Sequence, residues 1–317
     1  MSDSAPLLSV VTVSLNGARF LRETLDSVAR QTFKDFEHIV VDGGSTDGTQ
    51  GILAEYPSVR WISEPDGDLG IVSALHKAAA MANGKYVIQC FISDGFLDAT
   101  WFARAVGHME NNPQCALVWS LPQQMSEDGA LQGLFHGELL DRPPRGGTGF
   151  LPFWFGSQFV FPEGNYCTYT AIMRECFPSH GSPSHHLVQP HLAFVYNFMR
   201  RGYLPAMIPR VSSYFRVHEG QRYQKRLAIE APAARRYQKD VIALWWAVVL
   251  GSQRYVFRRP DGTSLATVDA AARRRLLRDA AVEWLLRLKV IRYPPIRVFR
   301  YLWRTVMRER TSWRTPR

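Results

Sequence analysis

The first hundred residues alternate short apolar runs with segments of helical periodicity. The runs LSVVTVSL, FEHIVV, VRWIS and KYVIQCFI have the length and β-branched content of buried strands. Helical segments follow the first three runs, at about residues 20–28, 50–56 and 71–81. This alternation predicts an α/β fold with a Rossmann-like, mainly parallel sheet flanked by helices.

Polar residues follow each predicted strand at its carboxyl end. They are Asn16, Asp42, Asp66 and Asp94. Because ligands of such sheets bind at the carboxyl ends of the strands, we expect these four side chains to converge on one crevice.

The chain beyond Pro113 continues with a strand at 116–120, a helix at 187–204 and a strand in MIPRVSSYFRVHEGQ. The Gly/Pro-rich stretch 142–149 and the aromatic run FLPFWFGSQFVF suggest a loop or flap over the crevice. Residues 268–310 have helical periodicity, interrupted by two prolines. We therefore predict an α/β domain over 1–225, with halves 7–110 and 111–225, and a helical basic region over 226–317.

The positive charge is concentrated in the C-terminal part of the chain. Residues 251–317 contain 17 Lys and Arg against 5 Asp and Glu, so residues 1–250 have a net charge of −2. Arginines interleaved with Leu, Trp and Tyr suit an amphipathic helix on an anionic membrane surface. The alternative is a pair of helices packed on the α/β domain with a solvated arginine face. Nucleic-acid binding is disfavoured because no RNA- or DNA-binding motif is present.

The sequence also predicts a cellular location. No apolar stretch approaches the roughly 18 residues of a spanning helix, and the N-terminus lacks the basic segment of a signal peptide. The four cysteines have no CxxC pairing, which indicates reduced, buried thiols. We expect a cytoplasmic protein, peripheral on the inner face of the plasma membrane.

The segment VVDGGSTDGT at residues 40–49 resembles the donor-site motif of family 2 glycosyltransferases with the GT-A fold. The segments LSVVTVSLN, ETLDSVARQTF and WISEPD match the same family in order and spacing. The resemblance covers residues 7–110, with a fainter continuation over 150–221. It implies inverting transfer of a sugar from a UDP- or GDP-linked donor to a glycan or lipid-linked acceptor, in cell-surface polysaccharide or glycoconjugate synthesis.

The resemblance also implies a set of residues that contact the donor. They are Thr12, Ser14, Asn16, Asp42, Gly43, Gly44, Asp66, His76, Asp94, Arg216 and His218. A carboxylate such as Asp42 can accept the N–H of a nucleotide base, and the two glycines after it permit a tight turn beside a ligand. Arg216 and His218, in YFRVHEGQ, lie two residues apart on a strand, so they face the same side and can stabilise a diphosphate.

Three departures from the family pattern concern catalysis. Asp94 matches the first acid of the metal-binding motif, but Gly95 stands where the second is expected. The resemblance therefore implies a Mn²⁺ or Mg²⁺ cofactor held by Asp94 and His218, without the usual second carboxylate. The segment EPDGDLG is longer than usual, which places Ser73 and His76 on the next helix. The general base of the acceptor-side helix falls at His191, or at His185 or His186 if the register differs.

Two further function classes remain at this point. A non-catalytic relative that binds a nucleotide sugar or glycan as a scaffold fits the altered acidic positions. A nicotinamide oxidoreductase is disfavoured because no GxGxxG follows the first strand.

Overall fold

A nine-stranded sheet forms the centre of the molecule in the computed structural model, which describes residues 5–65, 71–177, 190–218 and 222–287. Its strands are β1 (Leu8–Ser14), β2 (Phe36–Asp42), β3 (Val59–Ser63), β4 (Tyr86–Gln89), β5 (Gly95–Phe96), β6 (Cys115–Met125), β7 (Leu131–Leu134), β8 (Tyr166–Tyr169) and β9 (Leu204–Arg216). The strand order is β3-β2-β1-β4-β8-β6-β9-β5, with β7 paired to β6.

Helices connect and cover these strands. They are α1 (Ala18–Ala29), α2 (Thr49–Ala54), α3 (Ile71–Met81), α4 (Trp101–Asn111), α5 (Glu138–Asp141), α6 (Phe150–Ser157), α7 (Thr170–Cys176), α8 (Pro190–Arg200), α9 (Arg222–Leu250) and α10 (Ala270–Arg287). A two-stranded hairpin, β10 (Val256–Arg258) with β11 (Ser264–Thr267), separates α9 from α10.

The predicted Rossmann-like fold is confirmed in the first half of the chain. Strands β3, β2, β1 and β4 are parallel neighbours, whereas β8 runs antiparallel to both β4 and β6. Every residue of β1 is buried because helices cover both faces of this part of the sheet. Leu21 and Leu25 of α1 pack with Val40 on one face, and Ala74 of α3 packs with Val41 on the other.

The aromatic run is mostly a buried helix, so the predicted loop or flap is wrong for this segment, whereas residues 142–146 form no helix or strand. Helix α6 packs against the C-terminal helices: the indole N–H of Trp154 donates to Tyr237 Oη at 2.9 Å, and Gly156 faces the carbonyl of Ala280. An added Cβ at Gly156 would lie 2.7 Å from that carbonyl oxygen. The aromatic side chains are inside because α9 and α10 supply the apolar surface that covers them.

The C-terminal region shares the main hydrophobic core with the sheet, since Val241, Leu276 and Val11 belong to one cluster of buried side chains. The expected helices are present over 222–250 and 270–287, and the β10–β11 hairpin between them was not predicted. Within the described ranges, no helix combines the length and the apolarity that crossing a membrane requires. All four cysteines are buried and unpaired, as expected.

Candidate functional site

Asp42 organises the loop at the carboxyl end of β2. Its carboxylate accepts hydrogen bonds from the Ser45 amide at 2.9 Å, from the Ser45 hydroxyl, and from the Ser63 hydroxyl at 2.6 Å. Asp42 is completely buried. Because the carboxylate is completely buried, a nucleotide base could contact it only if the surrounding loop moved, and base recognition by Asp42 stays a prediction.

The loops after β1 and β2 are tied together, as the expected convergence of Asn16 and Asp42 requires. The Asn16 amide donates to Ser45 Oγ at 2.7 Å, and Asn16 Oδ1 accepts from the Thr46 amide at 2.9 Å. Asp47 accepts from the Ala18 amide at 2.9 Å, at the start of α1. The two loops form one structure because each satisfies backbone groups of the other.

The two glycines of the motif have different roles. The Gly43 amide donates to the Ser14 carbonyl at 2.8 Å and so extends the β1–β2 pairing. Gly44 adopts a φ of +83°, and an added Cβ would lie 3.3 Å from Cα of Pro65. This conformation favours glycine, so Gly44 lets the chain turn beside the end of β3. Ser14 is buried at the end of β1.

Thr12 lies inside the sheet. Its hydroxyl is 3.0 Å from His38 Nε2, and both side chains are buried. Burial lowers the pKa of His38 to about 4, because the interior disfavours the charged imidazolium. Donor contact by Thr12 stays a prediction, and the geometry gives this residue a place in the core.

Asp94 lies between β4 and β5, against the first helix. Its backbone carbonyl accepts the Thr24 hydroxyl at 2.8 Å, and its Oδ1 accepts the Arg216 amide at 3.1 Å. Burial raises the pKa of Asp94 to about 8, the Arg216 amide opposes that shift, and the negative charge of Glu163 adds to it. The structure therefore brings Asp94 and the end of β9 together.

Gly95 has no room for a side chain. An added Cβ would lie 2.6 Å from Tyr214 Oη and 2.7 Å from Ser27 Oγ. Gly95 pairs with Tyr214 in the antiparallel β5–β9 ladder, which fixes its backbone at this short separation. The Tyr214 side chain thus occupies the space that a side chain at position 95 would need.

Arg216 and His218 lie on the same side, around the ring of Phe20. The Arg216 guanidinium is 4.8 Å from the Phe20 centroid, and the His218 ring is 4.9 Å from it. Arg216 forms an ion pair with Glu23 and donates to the Glu127 carbonyl at 3.2 Å. Burial lowers the pKa of His218, which favours its neutral, ligating form.

His191 lies in the first turn of α8 and is 7% exposed. Its Nε2 contacts the Phe161 carbonyl, and its ring stacks on Tyr166 at 5.9 Å between centroids. Within the described ranges, its Nδ1 has no hydrogen-bond partner. Catalysis by His191 stays a prediction, and the side chain is enclosed among aromatic residues.

The remaining predicted positions are only partly described. His76 is half-buried on α3, with its ring 6.3 Å from that of Phe177, and its donor contact stays a prediction. Asp66, His185 and His186 lie outside the described residues.

Glu163 and Glu23 are the site residues that sequence reasoning missed. Glu23 is one of several polar residues on α1, and only the fold brings Arg216 to it. Glu163 lies in the sequence PEGN. These residue types predict a turn, but they do not predict which other parts of the chain the turn lies beside. Burial raises the pKa of both Asp94 and Tyr166, and the negative charge of Glu163 adds to both shifts.

The described residues of the site include few side chains that could ligate a cation. Among the described residues, no group of three or more His, Cys, Asp or Glu side chains is arranged to hold a metal ion. Asp94 is half-buried, and its Oδ1 accepts the backbone amide of Arg216. A single carboxylate can hold a divalent cation only together with oxygens from phosphates or water.

The model of glycosyl transferase family 2 matches residues 9–161. A PGL/p-HBAD biosynthesis glycosyltransferase of Mycobacterium bovis (strain BCG / Pasteur 1173P2) is 34% identical over 119 residues, which are 37% of this chain and 46% of that protein. Chondroitin synthase of Pasteurella multocida (strain Pm70) is 30% identical over 130 residues, 40% of this chain and 13% of the synthase. The matched segment thus spans less than half of these relatives' lengths.

Two solved structures share the fold at low sequence identity. TarS 1–349 of S. aureus in complex with UDP has a TM-score of 0.54 and 14% identity, covering 90% of this chain and 72% of that one. Mannosyltransferase PcManGT of Pyrobaculum calidifontis, in complex with GDP-Man and Mn²⁺, has a TM-score of 0.54 and 15% identity, covering 96% and 81%.

Proposed function

We propose that this chain transfers a sugar from a UDP- or GDP-linked donor to a hydroxyl of a glycan or lipid-linked acceptor, with inversion, because residues 9–161 match the model of glycosyl transferase family 2. The observation that carries the proposal is the joined pair of loops at the ends of β1 and β2, organised by Asp42. We further propose a role in cell-surface polysaccharide or glycoconjugate synthesis, which the names of the relatives support.

The joined loops support nucleotide binding at the carboxyl edge of the sheet. Asp42 holds Ser45, and Ser45 accepts the Asn16 amide, so the loop is fixed before a ligand arrives. A loop with preset backbone conformation loses little entropy on binding. We propose that the donor's base and ribose lie against Asn16 and Gly44, with Asp66 and His76 as further contacts.

We propose that Asp94, Arg216 and His218 surround the diphosphate. The Arg216 amide to Asp94 contact and the shared packing on Phe20 keep the three residues together. A Mn²⁺ or Mg²⁺ ion bound to Asp94 would supply positive charge beside the leaving group. His218 is half-buried and supplies a neutral imidazole for a phosphate oxygen or for the ion.

The reaction is a single in-line displacement. The acceptor oxygen forms a bond to the anomeric carbon, and the bond from that carbon to the phosphate oxygen breaks. Its electron pair leaves with the nucleoside diphosphate, whose charge is stabilised at the site of Arg216 and His218. A base on the acceptor side takes the hydroxyl proton.

The test is turnover by the purified full chain. The donors are UDP-glucose, UDP-N-acetylglucosamine, UDP-galactose and GDP-mannose, with octyl glucoside, oligosaccharides or water as acceptors, each with and without Mn²⁺. We expect nucleoside diphosphate release with at least one donor, and its loss in Asp94→Asn. The matched control is Asp261→Asn, which changes an exposed acid in the turn between β10 and β11. Inactivity of the wild-type protein with all donors would contradict the proposal.

A non-catalytic scaffold is the second candidate, and the filled space at Gly95 favours it. Tyr214 leaves no room for the usual second acid, so metal-assisted departure of the leaving group could be lost while nucleotide binding remains. Calorimetric titration with UDP and GDP separates the two. Nucleotide binding without turnover, unchanged by Mn²⁺, would favour the scaffold.

We also propose peripheral attachment to the inner face of the plasma membrane. Helix α10 exposes Arg274, Arg275 and Arg278 on one side, together with Leu277 and Val282, which are 41% and 47% exposed. Cations beside exposed apolar side chains suit an anionic lipid surface. Sedimentation with phosphatidylglycerol vesicles should exceed that with phosphatidylcholine, and replacing the three arginines by glutamine should remove the difference.

A further inference from the structure

The turn that carries Glu163 is firmly anchored. Asn165 is 1% exposed, donates from Nδ2 to Ser120 Oγ at 3.0 Å, and accepts the Ser212 hydroxyl at 2.8 Å. Gly164, at a φ of +75°, lies against Phe91, where an added Cβ would be 3.3 Å from the ring. Two buried neighbours therefore fix a turn from which the Glu163 side chain extends into solvent.

The sheet topology places this turn at the donor edge. Strand β8 is antiparallel to β4, with Ile88 opposite Cys167, so the residues before β8 lie beside the residues that follow β4. Gly164 lies beside Phe91 and within 3.9 Å, measured from an added Cβ, of the Gln89 carbonyl. Glu163 thus flanks the loop that ends in Asp94, and its charge acts on Asp94.

Glu163 and His191 differ in how accessible their side chains are to an acceptor hydroxyl. A base must lie within hydrogen-bond reach of the acceptor proton. His191 is 7% exposed, and its Nε2 contacts the Phe161 carbonyl beneath the turn. Glu163 is exposed and belongs to the acceptor half of the chain. An incoming hydroxyl can therefore reach Glu163 without rearrangement of the core.

We propose that Glu163 is the general base of the transfer, an assignment that rests on the proposed function. The acceptor O–H gives its proton to a Glu163 carboxylate oxygen while the acceptor oxygen bonds to the anomeric carbon. The bond from that carbon to the phosphate oxygen breaks at the same time, and the nucleoside diphosphate leaves with the electron pair. The carboxyl group then returns the proton to solvent, so the residue is regenerated.

The experiment compares Glu163→Gln with the wild-type full chain, using the donor and acceptor that turn over fastest in the panel above. Loss of a general base lowers kcat by roughly 100- to 10,000-fold. We expect that loss with unchanged donor KM and calorimetric UDP affinity, and partial recovery in Glu163→Asp. His191→Gln tests the competing assignment: if Glu163 is the base, kcat should fall far less in His191→Gln than in Glu163→Gln, because the buried imidazole is out of reach of the acceptor proton. Glu110→Gln, an exposed acid on α4, is the charge-matched control.

Each outcome decides between the assignments. Full kcat in Glu163→Gln, with loss in His191→Gln, would overturn the proposal and support the histidine. Loss of UDP binding in Glu163→Gln would also overturn it, because the residue would then serve ligand binding. An inactive wild-type protein would refute the proposed function and this assignment together, whereas an active wild-type protein with an equally active Glu163→Gln would refute this assignment alone.

Discussion

Substituting Gly95 tests whether packing alone keeps the second acid out of the site. In Gly95→Ala, the new methyl group would start 2.6 Å from Tyr214 Oη and 2.7 Å from Ser27 Oγ, both inside van der Waals contact. The β5–β9 pairing holds the backbone, so the Tyr214 and Ser27 side chains would have to move to relieve the strain. Overpacking of this kind costs about 1–3 kcal/mol in the free energy of unfolding. At ~2–4 °C per kcal/mol, the melting temperature should fall by several degrees.

Gly51→Ala is the matched control for that substitution. Gly51 lies on α2 with no atom within 4 Å of an added Cβ, and alanine is the better helix former, so this variant should be as stable as the wild type or more stable. The Ser27→Ala/Tyr214→Phe background removes both contacting oxygens and should reduce the cost of Gly95→Ala. Gly95→Asp should be less stable still and should not tighten Mn²⁺ binding measured by calorimetry. A Gly95→Ala protein as stable as the wild type would refute the packing explanation.

Three other predictions follow from buried polar contacts. Asp42→Ala leaves three donor groups of Ser45 and Ser63 without their acceptor, so stability to urea should fall by about 1–3 kcal/mol and calorimetric UDP affinity should fall with it. Glu23→Gln removes the negative charge that pairs with Arg216. The free energy of unfolding should fall by less than the roughly 3–5 kcal/mol lost when a fully buried pair is broken, because water reaches the half-exposed Glu23 side chain. Glu55→Gln, in an exposed pair with Arg22, should cause no resolvable loss in the same urea series. Because burial lowers the pKa of His38 to about 4 in the folded protein, His38 takes up a proton at a higher pH in the unfolded chain than in the folded one. The free energy of unfolding should therefore be highest above pH 6.5 and fall by about 3 kcal/mol as the pH drops to 4. That slope should disappear in His38→Gln, and an unchanged slope would exclude His38 as its source.

The sequence by itself determined the order of the first elements and the polar ends of their strands. Leu8–Ser14 and Phe36–Asp42 are buried strands because their apolar residues point to both faces of a covered sheet. The turn residues between Asp42 and Thr49 likewise indicated a loop rich in side-chain to backbone hydrogen bonds. Strand periodicity and turn residues depend on residues that are close together in the chain, so both can be predicted from one sequence.

The environment of each site residue was decided by tertiary structure alone. Periodicity does not show that Tyr214, more than a hundred residues away, fills the space beside Gly95, or that α10 covers the aromatic helix at Gly156. The antiparallel β4–β8 pairing brings Glu163 next to the Asp94 loop, and no local pattern encodes that register. Contacts between distant segments depend on how complete elements pack. The sequence therefore predicted which edge of the sheet carries the polar loops, and the fold decided which residues surround Asp94 and that His191 is enclosed.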